Sequence, residues 1–122
     1  MADEIVITMG MTVTNGSLTK KVGTIVDRYD MAGTRAFGAV QDIGTTYELL
    51  DTGADVGTEG WSFYRNLDAT NYVELGLEVS AAFYAFAKLM PGEMAMLPIS
   101  SNAIYAKANT ATCKLQIDQV ER

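Results

Sequence analysis

In Tyr72-Val73-Glu74-Leu75-Gly76-Leu77-Glu78-Val79, four apolar residues (Val73, Leu75, Leu77, Val79) alternate with Tyr72, Glu74, Gly76 and Glu78. A period of two puts alternate side chains on opposite faces of an extended chain, so this run predicts a half-buried β-strand. The same period, less cleanly, runs through Ile5 to Thr14, Leu18 to Tyr29, Arg35 to Asp42, Thr45 to Leu50, Gly60 to Asn66, Phe83 to Leu89 and Thr112 to Val120. Eight to ten strands are expected.

Turn-forming residues punctuate these runs. Asn15-Gly16 stands between the first two and suits a type I′ hairpin, which predicts that those strands pair. Asp51-Thr52-Gly53-Ala54-Asp55, Asp68-Ala69-Thr70-Asn71 and Pro91-Gly92-Glu93 are further turn or loop signals. Val79 to Met90 is alanine-rich and competes as a short helix, but Phe83, Ala85 and Ala87 alternate with Tyr84, Phe86 and Lys88. A strand from Phe83, turning at Pro91-Gly92 into Met94 to Ile99, is preferred. Close turns between short strands favour an all-β fold, an antiparallel β-sandwich of jelly-roll type, over a parallel sheet needing helical crossovers.

The chain has 122 residues, the size of one domain. A single domain over 1–122 is expected, with residues 1–14 able to extend as an N-terminal arm. Hydrophobic residues make up 48% and charged residues 20%, a balance that can form a core. The net charge of −6 would repel a phosphate backbone, so no nucleic-acid partner is expected. Met1-Ala2-Asp3-Glu4 carries acids where an export signal would carry bases. The longest wholly apolar run, Ala81 to Ala87, is far short of the ~20 residues of a membrane-spanning helix, so no membrane association is expected. One cysteine, Cys113, closes no intrachain disulfide and alternates with Leu115 and Ile117 as a buried small hydrophobe would, which fits assembly in a reducing cytoplasm.

The absence of histidine removes Ser-His and Cys-His nucleophiles and His-ligated metals. Asp27, Asp30, Asp42, Glu48, Asp51, Asp55 and Glu59 crowd the middle of the chain, but their spacing matches no EF-hand and reads as solvated acids. Glu74 and Glu78 share one side of a strand at a separation beyond that of glycosidase carboxylate pairs. Ser100, Ser101 and Lys107 lack the spacing of a Ser-Lys pair. No catalytic residue, cofactor or metal is expected, and the chain reads as a non-enzyme.

What remains is contact chemistry. Trp61, Tyr64 and Tyr72 can stack on a sugar or anchor a partner. Trp61 and Phe63, at i and i+2, are the expected core pair, with Tyr64 on the opposite side. Seven methionines are many for this length, and Met90, Met94 and Met96 gather around Pro91-Gly92, with Met9 and Met11 near the start. Thioethers suit either irregular core gaps or an adaptable subunit interface.

The segment Gly60-Trp61-Ser62-Phe63-Tyr64-Arg65-Asn66-Leu67-Asp68-Ala69-Thr70-Asn71-Tyr72-Val73-Glu74-Leu75-Gly76 resembles small structural proteins encoded in the virion gene blocks of tailed bacteriophages. Leu89-Met90-Pro91-Gly92-Glu93, Ile104 to Thr110 and Ile43 to Glu48 look like further segments of that group, while Met1 to Asp42 matches none of it. The resemblance implies a capsid decoration, cement or head-fibre protein, made in the host cytoplasm, that binds the major capsid protein at the head surface as a homo-oligomer, with a trimer expected. It supplies no catalytic or ligand residues. Tail or baseplate components fit the same composition, and a carbohydrate-binding tip is the rival from another class.

Overall fold

The computed structural model describes residues 3–52, 56–100 and 103–121. The expected turn residues Gly53, Ala54 and Asp55, the opening Met1-Ala2 and the candidate Ser101 lie outside the described residues. Among the described residues there are ten strands and no helix: β1 (Ile5–Asn15), β2 (Leu18–Tyr29), β3 (Ala36–Ile43), β4 (Glu48–Leu49), β5 (Glu59–Asn66), β6 (Val73–Val79), β7 (Ala82–Leu89), β8 (Met94–Pro98), β9 (Tyr105–Ala108) and β10 (Cys113–Glu121). The Val79 to Met90 segment takes the strand alternative. Contacts divide the chain into two units, Met1–Gly33 and Thr34–Arg122. The first contains the whole β1–β2 hairpin.

In the first unit, β1 and β2 pair antiparallel from Ile5↔Tyr29 to Asn15↔Leu18. The turn differs from the Asn15-Gly16 type I′ expectation. Asn15 is the last paired residue, Gly16 has φ +60°, and Ser17 does not share its positive φ. Glycine at the first central position with an ordinary second residue is type II′, which needs left-handed freedom at only one position. The ladder shifts between Met9 and Met11, where β2 carries one extra residue opposite Gly10. That bulge corrects a phase slip in the sequence. Leu18 and Val22 are even-numbered, Ile25 and Tyr29 odd, yet the paired register puts all four on one face with Ile5, Ile7, Met9, Met11 and Val13. The other face carries Thr8, Thr12, Thr14, Thr19, Lys21 and Arg28, with Val6 and Val26.

In the second unit, two four-stranded sheets run β3-β10-β5-β8 and β4-β9-β6-β7, with every recorded pairing antiparallel. Counted one to eight from β3, the orders are 1-8-3-6 and 2-7-4-5, the arrangement of a jelly roll. The expected antiparallel sandwich is therefore present. One core joins the sheets: Ile43, Tyr64, Cys113, Leu115 and Ile117 from the first meet Val73, Leu75, Leu89, Ala106 and Ala108 from the second.

Three local expectations are corrected, and one strand is added. Leu77 and Val79, expected inside with Val73 and Leu75, are 44% and 53% exposed. β9 pairs β6 only from Val73 to Gly76, so beyond Gly76 the β6–β7 ladder runs on without that neighbour. The run from Thr45 to Leu50 narrows to the two residues of β4, because Glu48 Oε2 turns back to accept the Gly44 amide at 3.1 Å. Pro91-Gly92 makes the expected tight turn, with Gly92 at φ +80° and the Glu93 amide donating to the Met90 carbonyl at 2.9 Å. It is not a hairpin, however. β7 and β8 belong to different sheets, and backbone bonds from Gly92 N to Asn66 O (3.0 Å) and Asn66 N to Glu93 O (3.0 Å) draw the chain across to β5. Finally, Tyr105–Ala108, too short to show a period, forms β9.

Candidate contact surfaces

β5 is an interior strand of its sheet, flanked by β10 and β8, so its two faces have opposite fates. Ser62, Tyr64 and Asn66 are turned inward, with Tyr64 and Asn66 fully buried and Ser62 nearly so. Trp61 and Phe63 are half-buried on the outer face. This reverses the expected core pair, and it removes Tyr64 from any contact platform. An i, i+2 rule identifies two faces but not which is inside. The decision falls to the register, because Tyr64 pairs with Ile117 and Ala95, and Asn66 with Leu115, all on the core side.

The outward register gathers most of the other candidates. Trp61 pairs with Pro98, Phe63 with Met96 and Arg65 with Met94, so one face of β5 and the edge strand β8 presents Trp61, Phe63, Met94, Met96 and Pro98 together. Met94 is 59% exposed and Met96 half-buried. Met90, 46% exposed, sits at the turn before β8, where its amide donates to Glu93 Oε1 at 2.8 Å. Tyr72 is not part of this patch. It precedes β6 in the other sheet, half-buried, with Lys88 Nζ 4.2 Å from its ring centre.

A second aromatic group went unrecognised in the sequence. The Tyr47 ring stacks on Phe83 at 5.5 Å and meets Tyr105 edge-on at 5.8 Å. Glu78 ties them: its Oε2 accepts from the Tyr47 hydroxyl at 2.9 Å and its Oε1 from Tyr105 at 3.4 Å. The bond to the Glu78 carboxylate holds the Tyr47 phenol above its usual range, because removing its proton would set two negative charges together. Gly76 is the signal that could have found this group. A Cβ there would lie 2.7 Å from the Phe83 ring, so only glycine lets that aromatic lie across β6.

Several acids of the middle of the chain are engaged in local structure. Asp42 pairs with Lys114 at 2.9 Å, both well exposed, and Glu48 accepts from Gln41 Nε2 at 3.1 Å as well as from Gly44. Asp30 Oδ1 accepts the Asp3 amide at 3.0 Å. Asp55 lies outside the described residues. In the β5–β6 connection, Asp68 Oδ2 accepts the amides of Asn71 (2.6 Å) and Thr70 (2.9 Å), while Asn66 Oδ1 accepts that of Asp68 (2.9 Å). The amide bonds, that of Asn71 foremost, hold the Asp68 carboxyl below the usual carboxylate range. The Asn66 and Asp68 side chains thus satisfy the turn's own backbone, as amide and carboxylate side chains do in turns. A shallow depression of about 350 Å³ beside it is lined by Asp42, Leu67, Asp68, Ala69, Thr112 and Lys114. Its three charged side chains are those already engaged.

Cys113 is 1% exposed, and burial pushes its thiol pKa up, away from the reactive thiolate. Among the described residues, no three acids or cysteines converge as a metal-binding group would require. No helix of the described residues is long and apolar enough to cross a membrane.

No protein-family model, no curated protein and no solved structure matches the chain.

Proposed function

We propose that this protein is a non-enzymatic structural component of a tailed-phage virion that binds the major capsid protein on the outer surface of the head. The observation that carries the reading is the outward patch of Trp61, Phe63, Met94, Met96 and Pro98 on the β5–β8 face of the sandwich. Apolar and thioether side chains gathered on one sheet face and its edge suit a contact that excludes water between proteins. Trp61 and Phe63 lie within the Gly60 to Gly76 segment that resembles phage virion proteins. The net charge of −6 favours a place outside the shell over one against packaged DNA. The jelly roll is used by viral capsid and lectin domains alike, so the architecture supports the reading by analogy alone.

Such a protein acts by burying surface across joints between capsid subunits, so that opening the lattice would expose it again. Purified protein added to undecorated heads should bind saturably, and heads carrying it should withstand more heat than heads without it. W61A and M96A should weaken that binding while leaving the sandwich folded. Absence of saturable binding, or binding indifferent to both substitutions, removes the head role and leaves the tail or baseplate. Titrating Trp61 fluorescence with host polysaccharide tests the rival: a saturable response there, without capsid binding, makes this a carbohydrate-binding module.

A further inference from the structure

We propose that the β1–β2 hairpin is a self-association device, in which the apolar faces of two copies stack antiparallel about a two-fold axis. The inference is independent of the virion reading. A two-stranded hairpin is marginal in water unless something covers its apolar side. Here the bulge opposite Gly10 keeps every large apolar residue except Val6 and Val26 on one face, yet Met11, Leu18 and Ile25 of that face are 53%, 56% and 59% exposed.

Charge selects the occupant. The apolar face carries only two charged residues, Lys20 and Asp27, both on β2. They lie about equally far from the bulge and on opposite sides of it, Lys20 in the row of Val13 and Asp27 in the row of Ile7. A two-fold axis running across the strands through the bulge lays β2 over β2 in opposite directions. Lys20 then faces the partner subunit's Asp27, and Asp27 faces the partner subunit's Lys20. The same operation sets Met9 on the partner subunit's Met11 and Ile25 on the partner subunit's Val22. A two-fold axis running along the strands would instead lay β2 over the partner subunit's β1 and set each charge on an aliphatic side chain, Lys20 on the partner subunit's Val13 and Asp27 on the partner subunit's Ile7. Self-complementarity of this kind is the property of a two-fold interface. Stacked sheets lie ~10 Å apart, a gap that a lysine stem and an aspartate can bridge. The trimer implied by the phage resemblance gives way to a dimer on this account.

Sedimentation equilibrium of the whole protein should give twice the mass of the 13.2 kDa chain. K20E and D27K should each weaken the dimer roughly ten- to a hundredfold, since each sets like charges face to face at two places. The K20E/D27K double variant should recover dimerisation. Within one chain the two positions are seven residues apart on one strand, ~23 Å, so recovery within a copy is excluded. Equal amounts of K20E and D27K, each monomeric alone, should form a mixed dimer when combined, which also shows that both variants fold. A monomer at every concentration, a trimer, or a dimer indifferent to both reversals would overturn the proposal. So would two failing variants that do not restore each other.

Discussion

The side-chain amide of Asn66 donates to the carbonyl of Leu89 at 3.0 Å and, through the same nitrogen, to that of Asn71 at 2.8 Å. Asn66 has no exposed surface, and its Oδ1 accepts the Asp68 amide, so one side chain holds the end of β5, the end of β7 and the loop into β6. Removing it strands one acceptor in the interior and unpins a loop. N66A should destabilise the sandwich by about 3 kcal/mol, the combined cost of a buried carbonyl without a donor and two lost turn bonds. The thermal midpoint should fall by roughly 15 °C in a domain of this size. A change of only a few degrees would mean that water replaces the amide.

The Asp68 carboxyl lies below its ordinary range in the folded protein, as does that of Glu121, whose Oε2 accepts the Gly57 amide at 2.8 Å. The folded state therefore binds these protons less readily than the unfolded chain. Their stabilising effect is complete above the unfolded carboxylate pKa, about 4, and is lost as pH falls through the lower folded values. Urea midpoints should be flat above about pH 5 and decline below about pH 4. D68N should lower the neutral-pH midpoint and shallow the acid decline, and Glu121 should retain part of it. An undiminished slope in D68N would remove Asp68 from the account.

Ser80 and Ala81, the two central residues between β6 and β7, have φ of +52° and +62°. Both are side-chain-bearing residues held in the left-handed region that a type I′ turn requires, where asparagine and glycine are at home. S80N/A81G should stabilise the fold by about 1 kcal/mol, measurable as a rise in thermal midpoint. No gain would show that the turn reshapes itself in solution.

At Gly76 β7 passes so close to β6 that an added Cβ would lie 2.3 Å from the Tyr84 carbonyl oxygen. Backbone cannot yield as a side-chain tip can. G76A should cost about 1–3 kcal/mol and loosen the β6–β7 ladder, visible as faster amide exchange from Leu77 to Tyr84. The β6–β7 register shifts between Leu75 and Gly76, and unchanged protection there would argue that this irregularity absorbs the methyl group.

Strand positions were legible because alternation is a local property. The runs at Leu18 to Tyr29 and Phe83 to Leu89 lie within a residue of the observed strands. What escaped the sequence was decided at a distance. Whether Tyr64 or Trp61 faces the core depends on which side of β5 the other sheet occupies, and alternation is symmetric in that respect. Leu77 and Val79 look identical in pattern to Val73 and Leu75, yet β9 ends its pairing at Gly76. The Asn66 to Asn71 motif was readable because its side chains bond backbone only a few residues away. Of the candidate contact residues, Trp61, Met94 and Met96 were brought together by the β5–β8 register, which no local signal encodes.

The Glu121 amide donates to the Arg35 carbonyl at 2.9 Å, which places the two extremities of the sandwich within one hydrogen bond of each other. A folded body whose ends meet can be spliced into a surface loop of an unrelated protein without stretching its host. It can equally be cyclised through a short peptide and reopened at the Asn109-Thr110-Ala111 bend. The sandwich is in that sense a portable module, and its outer patch would travel with it.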